Sequence, residues 1–324
     1  MCSCSESAIA EDVHLYLLGG QSNGTGRGDA AEILDDSLSQ PQNDVKFWYR
    51  KTQNSATNNA LPENEIINLA PGSGHGVTGI VAPVEFGPEI TIGRVIADAL
   101  PAQNVMLIKG TRSGSNLHTA WAQGGIHYNN FLQTIGEAVD QIQANGDTPV
   151  FKGMFWVQGE ADSIDLDNAL NYEANLTDLI QRVREDFFDG RDAPFILSQL
   201  SDNQYSSLSS GQLAVRAGQA AVADADARVA IIVTDDDDLF TTRSDIIHFD
   251  ANGLLNLGAQ LGQALVNLET LGDVNCDGEV NLLDIAPFLD SIGSNEYNFK
   301  ADINQDGNVD LLDAEPFVEL FSDE

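Results

Sequence analysis

An α/β fold built on a parallel sheet with helices on both faces, followed by a short second module, is predicted by three observations. Short apolar runs alternate with helical patterns through residue 268. The apolar runs are nearly continuous, as strands buried on both faces must be. After Leu268 the composition turns abruptly acidic and repetitive. The 324 residues, 42% hydrophobic and 20% charged, suffice for one full-sized core and a small appendage.

In chain order, strands are expected at Val13–Leu18, Val105–Ile108, Val150–Val157, Pro194–Leu200 and Val229–Val233. Helices are expected at Glu89–Leu100, Asn129–Ala144, Asn168–Phe187, Gly211–Ala223 and Leu254–Leu268. Ligands of such sheets bind beyond the carboxyl ends of the strands. Asp29–Pro83 has weak periodicity and many Asn, Ser and Gly, and reads as a long excursion near that end, a substrate-shaping loop. The chain divides into a disordered start over 1–12, an α/β domain over 13–268 and a tail over 272–324, joined by the short link Glu269–Gly272.

Charge and composition exclude several classes. Fifteen Lys and Arg face 50 Asp and Glu, a formal charge of −35, which repels nucleic acid and anionic membrane. No apolar run reaches the roughly 18–20 residues a bilayer span requires. Met1–Asp12 lacks the basic start and apolar stretch of a signal peptide. Cys2, Cys4 and Cys276 form no disulfide framework. His75, His118 and His127 lack metal-ligand spacing, so no catalytic metal is expected.

The tail repeats itself at a spacing of 29 residues: DVNCDGEVNLLD over Asp273–Asp284 and DINQDGNVDLLD over Asp302–Asp313. Oxygen side chains fall at positions one, three, five, nine and twelve: Asp273, Asn275, Asp277, Asn281 and Asp284, then Asp302, Asn304, Asp306, Asp310 and Asp313. Position seven contributes a backbone carbonyl, at Glu279 and Asn308, and Gly278 and Gly307 turn the loop at position six. Calcium takes six to eight oxygens from a flexible loop of this spacing, so two Ca2+ sites are expected. Position twelve is Asp rather than the EF-hand Glu, and its shorter reach requires the following helix to sit closer. The duplicated loop plus helix, with no preceding helix, resembles type I dockerin modules, which are small and all-α. The resemblance implies a cohesin-like protein partner; calcium-stabilised folding alone is the other use of such a module. Without bound cations the same acid reads as a solvated tail.

In the α/β region, Leu15–Gly28 (LYLLGGQSNGTGRG) puts Ser22 directly after the first strand. A serine hydroxyl needs a base to take its proton, and His248 in Asp245-Ile246-Ile247-His248 is the candidate. Three residues separate acid from imidazole, so one short turn presents both to one point, the acid orienting the ring. Alone, Ser22 also reads as a helix-capping or turn serine and Asp-x-x-His as surface decoration. Gly20-Gln21-Ser22-Asn23-Gly24 matches the α/β-hydrolase elbow, which normally follows several strands rather than the first. Gly26–Ala31 matches a dinucleotide fingerprint but lies well past the strand end and leaves His248 without a role.

Four motifs then occur in order: GQSN with Gly26-Arg27-Gly28, Phe86-Gly87-Pro88-Glu89, Trp156-Val157-Gln158-Gly159-Glu160-Ala161-Asp162, and Asp245–His248. Together they resemble the sialate O-acetylesterase-like branch of the SGNH hydrolases, which includes carbohydrate esterase family six acetyl xylan esterases, over roughly Val13–Leu268. The resemblance implies a flavodoxin-like three-layer α/β/α sandwich. It also implies an esterase that removes O-acetyl groups from acetylated oligo- or polysaccharide at the cell surface or outside the cell. Ser22 becomes the nucleophile, His248 the base and Asp245 its partner. The oxyanion hole is implied at the Ser22 N–H, a glycine N–H in the block Gly110–Ser115, and the Gln158 side chain. Relatives carry two glycines in that block where this chain has Ser113-Gly114, so the donor falls to Gly114. Gly24 stands where relatives often have Met. Asn23 and Glu160 are candidates for supporting or substrate-touching roles. Trp121 lines a sugar wall or closes the core, and Asp235–Asp238 reads as a solvated loop. The rival functions are a non-catalytic, calcium-dependent glycan-binding or adhesion protein on the same scaffold, and a general GDSL-type lipase. The non-catalytic reading gives the set Ser22, Gln158, Asp245 and His248 no joint role, while the lipase reading lacks an evident apolar lid helix and the charge disfavours anionic interfaces.

Overall fold

The computed structural model describes residues 10–50, 61–62, 64–74, 84–202, 208–275, 280–292, 294, 298, 300–304 and 308–321. Nine strands are described: β1 (Asp12–Gly20), β2 (Gly28–Asp29), β3 (Gln42–Tyr49), β4 (Ile67–Leu69), β5 (Glu85–Phe86), β6 (Val105–Thr111), β7 (Thr148–Val157), β8 (Phe195–Ser198) and β9 (Val229–Ile232). The helices are α1 (Ser22–Thr25), α2 (Asp36–Ser39), α3 (Glu89–Ala99), α4 (Ile126–Asn145), α5 (Leu166–Leu170), α6 (Tyr172–Phe187), α7 (Ser210–Ala225), α8 (Ala251–Glu269), α9 (Ile285–Ser291) and α10 (Ala314–Glu319).

The main sheet runs β4-β3-β6-β1-β7-β8-β9, all parallel except β4 against β3. The five strands expected from sequence give the order β6-β1-β7-β8-β9, a flavodoxin-like winding that reverses direction at β1. Ser22 follows β1 directly and so stands at the switch point, where neighbouring connections leave on opposite faces. Strand residues alternate between two cores, as the pleat requires. Leu15, Leu17, Met106 and Trp156 face α4, α6 and α7, while Tyr16, Leu18, Leu107 and Phe155 face α3 and α8. The sequence-predicted three-layer sandwich is thus realised.

Two expectations change. Asp29–Pro83 was read as a loop excursion, yet it lays β3 along β6 and β4 along β3, extending the sheet by two strands. The polar start Gln42-Asn43-Asp44 hides the strand, whose buried residues Val45, Phe47, Trp48 and Tyr49 come late. The long helix expected at Asn168–Phe187 is broken at Asn171, whose φ/ψ of −94°/4° ends α5 and opens α6. Trp121 is 1% exposed and packs edge-on against Trp156 at 4.9 Å, so it closes the core and is no sugar wall.

A third, separate cluster gathers Leu271, Val274, Phe288, Ala301, Ile303 and Phe317 in the tail, with Phe288 and Phe317 stacked at 4.0 Å. Its two halves each carry a 3-10 turn, Leu282–Asp284 and Leu311–Asp313, leading into α9 and α10.

Candidate active site

β1 ends at Gly20, whose φ of 130° and 2.2 Å clearance between a notional Cβ and Val157 O leave room for glycine alone. The chain then turns sharply off the sheet. Gln21 N–H donates to Val157 O (2.8 Å), and Gln21 Oε1 accepts from Ala161 N (3.1 Å), fixing the turn to the end of β7. Ser22 opens α1, where first-turn N–H groups have no helical acceptor. The helix end is fixed by Lys109, which donates to Thr25 O (2.7 Å) and pairs with Glu89 (2.8 Å).

Lys109 and Glu89 are both buried, and burial pushes the Lys109 ammonium below its usual range although Glu89 opposes the shift. Glu89 also accepts from Ser73 Oγ and Gly87 N at 2.9 Å each. Breaking a buried pair strands the surviving charge, which costs about 3–5 kcal/mol. Lys109→Met should therefore lower stability by about 3 kcal/mol or more in urea unfolding, and loosen α1 with it. The motif Phe86–Glu89 was visible in the sequence, but its lysine partner was not.

The other side comes from residues 241–250, closed on themselves by a Thr242–Phe249 bridge and an Arg243 N–H bond to His248 O (2.8 Å). Within this turn, Asp245 Oδ1 accepts the N–H groups of Ile247 (3.0 Å) and His248 (2.9 Å), and Oδ2 meets His248 Nδ1 at 2.9 Å. Burial raises the Asp245 carboxyl, but these donors and the imidazole outweigh it and bring it down to about 2. Ile246 holds φ 57°, a left-handed conformation costly for a β-branched residue. Asp245 thereby occupies one ring nitrogen and leaves Nε2 for a partner.

Asn23 joins the two sides. Its Oδ1 accepts from Phe249 N (3.0 Å), and its Nδ2 donates to Glu160 Oε1 (2.7 Å) and Ile247 O (3.3 Å). The residues flanking His248 are thus bonded to the residue next to Ser22. Nearby, Gly114 holds φ 69° with open space where a Cβ would project. The Gln158 amide donates to Asp162 (2.6 Å) and Ser115 O (3.0 Å), while its oxygen accepts from Tyr172 OH (2.8 Å). Asp162, wholly buried, also accepts the N–H groups of Leu117 and His118. Burial raises its carboxyl despite these donors. Gln158 and Asp162 therefore brace the segment carrying Gly114. The bracing role of Asp162 has no local signature, since the main-chain groups it holds lie 44 and 45 residues away.

This arrangement of Ser22, Asp245 and His248 at the switch point invites comparison with known proteins. Residues 12–267 match the carbohydrate esterase family of sialic acid-specific acetylesterases. The chain belongs to this family. It is a carbohydrate O-acetylesterase by that membership. Residues 271–316 of the esterase match the dockerin type I domain. Among solved structures, the fold resembles a protein from Arabidopsis thaliana with TM-score 0.60 at 20% identity, covering 78% of this chain and 97% of that one. NanS matches with TM-score 0.59 at 15% identity, covering 80% and 98% respectively. A carbohydrate acetylesterase from Xanthomonas citri matches with TM-score 0.53 at 18% identity, covering 78% and 56%. These likenesses bear on the fold. No curated protein matches the chain at a significant level.

Behind the esterase's histidine turn lies Glu85, 5% exposed, with Oε2 unbonded among the described residues and Arg243 3.8 Å from Oε1. Burial raises its carboxyl to about 7, against the pull of Arg243 and Arg27. A carboxyl raised on folding favours the protonated native state. Stability is fully present below the unfolded value near 4.5 and lost as pH climbs to about 7. Glu85→Gln should thus raise stability at pH 8 by about 1–2 kcal/mol after solvent screening, read as a higher melting temperature, and change little at pH 4.

In the tail, Asp284 and Asp313 are fully buried, and Asp273 and Asp302 nearly so. Asp284 accepts from Asn275 N and Asn281 N (both 2.9 Å), and Asp313 from Asn304 N (3.0 Å) and Asp310 N (2.9 Å). The shorter Asp at position twelve is accommodated because the 3-10 turn wraps directly onto it. Carboxylates this buried in an acidic module call for a cation, which fits calcium. Lys300 donates to Asp273 Oδ2 (2.9 Å). Asp277, Glu279 and Asp306 lie outside the described residues. Of Asp235–Asp238, three are solvated as expected, but Asp235 is held bidentately by Arg216 at 2.7 and 2.6 Å.

Proposed function

We propose that the esterase cleaves O-acetyl groups from oligo- or polysaccharide by a serine acyl-enzyme mechanism. The observation that carries this is the Asp245–His248 pair, whose flanking main chain is bonded to Asn23, the residue beside Ser22. Ser22 Oγ attacks the acetyl carbonyl while His248 Nε2 takes its proton. The developing oxyanion meets the Ser22 and Gly114 N–H groups. Gln158 serves as third donor by exchanging its 3.0 Å bond to Ser115 O for the oxyanion. Collapse expels the sugar alcohol, which receives the proton from His248. Water, deprotonated by His248, then attacks the acetyl-enzyme, and acetate leaves with Ser22 restored.

The catalytic unit is assigned to 13–268 and the calcium-binding module to 272–324. In that module calcium would be held by Asp273, Asn275, Asp277, Glu279 carbonyl, Asn281 and Asp284, and by the matching set Asp302 to Asp313. It would supply the charge that closes each loop. Dockerin membership supports a cohesin-like partner and an extracellular or cell-surface location. Acetate release from a panel of acetylated xylan, other acetylated polysaccharides and O-acetyl sialic acid tests the reading. Release from at least one glycan, together with phosphonate labelling of Ser22, is expected. Glycan binding with neither release nor labelling would instead mark a non-catalytic binding protein.

A further inference from the structure

We propose that Asn23 and Glu160 form a positioning pair that sets where His248 stands relative to Ser22; this rests on the catalytic reading above. Asn23 lies 2% exposed and Glu160 9% exposed, so their 2.7 Å bond is shielded from water. All three polar functions of the Asn23 carboxamide are committed. Oδ1 takes the Phe249 N–H, and Nδ2 serves Glu160 Oε1 and Ile247 O. The amide thus grips the main chain immediately before and immediately after the imidazole. Glu160, an acceptor at the shortest of these contacts, draws the NH2 group and so acts with Ile247 O and the Phe249 N–H to present Oδ1 to Phe249.

Glu160 is itself anchored. It follows β7 by three residues, and its carbonyl accepts from Ser163 Oγ (2.8 Å). The histidine turn has its own internal bonds, but those hold Asp245 and His248 to each other, not to the sheet. Arg243 supplies a second tether, to Arg27 O. Asn23 reaches the main chain of both of His248's immediate neighbours, beside the burial of the Phe249 side chain in the core. Since Asn23 is adjacent to Ser22, displacement of this clamp moves base relative to nucleophile without touching either. A misplacement of about 1 Å costs on the order of 10²-fold in rate.

The geometry makes a polarity-reversed exchange informative. In Asn23→Asp alone, two carboxylates face each other across 2.7 Å and the donor is gone. In Asn23→Asp with Glu160→Gln, Asp Oδ1 still accepts from Phe249 N while the new glutamine donates to Oδ2. Net charge is unchanged, and the longer contact to Ile247 O loses its donor.

The test measures kcat and KM on an aryl acetate for Asn23→Ala, Asn23→Asp and the exchanged pair, with melting temperatures for each. Asn23→Ala and Asn23→Asp are expected to lose about 10²-fold in kcat with little change in KM, and the exchanged pair to recover most of it. A parallel arm follows the His248 ring resonances by NMR in a Ser22→Ala background, where turnover plays no part. They should shift with Asn23→Asp and return in the exchanged pair. Folded single variants with wild-type kcat, or an exchanged pair no better than Asn23→Asp, would overturn the proposal. If the resonances respond as expected but wild-type turnover survives Ser22→Ala, the pair stands and the serine mechanism falls.

Discussion

Ser22→Ala should reduce turnover of an aryl acetate by roughly 10⁴-fold or more and leave the melting temperature within a degree or two, because the members of a catalytic triad act as one unit. The hydroxyl is mostly buried at the start of a four-residue helix, and among the described residues no hydrogen bond that holds the turn passes through it. Gln21 N–H and side chain, Asn23 and the Lys109–Thr25 bond hold the turn without it. Removing Oγ therefore deletes the proposed nucleophile and little else. Residual turnover far above this level would mean that another group attacks the ester. The acid side of the pH profile discriminates further. With its carboxyl held near 2, Asp245 stays ionised throughout the working range. Its folded value lies below the unfolded one of 3.8, so the stability it contributes is present above that value and lost only as pH falls through about 2. Loss of turnover on mild acidification therefore does not come from Asp245.

What could be read from the chain follows from the range of the interactions concerned. The five central strands were legible because burial on both faces demands unbroken apolar runs, and the Asp245–His248 pair because its partners are three residues apart. Ser22 gained meaning only from its place after the first strand. The elements that escaped depend on distant partners or on edges. β3 sits on the flank of the sheet, covered on its outer side only by the three-residue β4, and its sequence begins polar. The Asn23–Glu160 bond spans 137 residues and the Lys109–Glu89 pair 20, with no local pattern to announce either. Gln158 was assigned by resemblance to the oxyanion alone. Its bonds to Asp162 and Ser115 give it a bracing role as well, which no spacing rule encodes.

Chelation of calcium should abolish the ordered tail while leaving turnover of a small acetate unchanged. Among the described residues the tail's own core holds six buried apolar residues, with five partly buried ones packed against them. So small a cluster in about 50 residues does not offset the entropy of ordering the chain, and modules of this size need disulfides or metals. Cys276 is the module's single cysteine, so a disulfide within it is excluded. Buried Asp284 and Asp313 add a further cost unless a cation meets them, whereas Asp273 already meets the Lys300 ammonium. With calcium at 1,000 times its dissociation constant, each filled loop contributes about 4 kcal/mol, enough to decide whether the module folds. Addition of EDTA should therefore remove the tail's helical signal in circular dichroism and open it to proteolysis near α9 and α10. Asp284→Ala and Asp313→Ala should each do so in part. The esterase domain has its own two cores on the faces of the main sheet, neither of which includes a tail residue. Its turnover should thus survive the same treatment. A tail that keeps its helices and protease resistance in excess EDTA would show that stacking of the two aromatic rings, rather than metal, holds the repeat together.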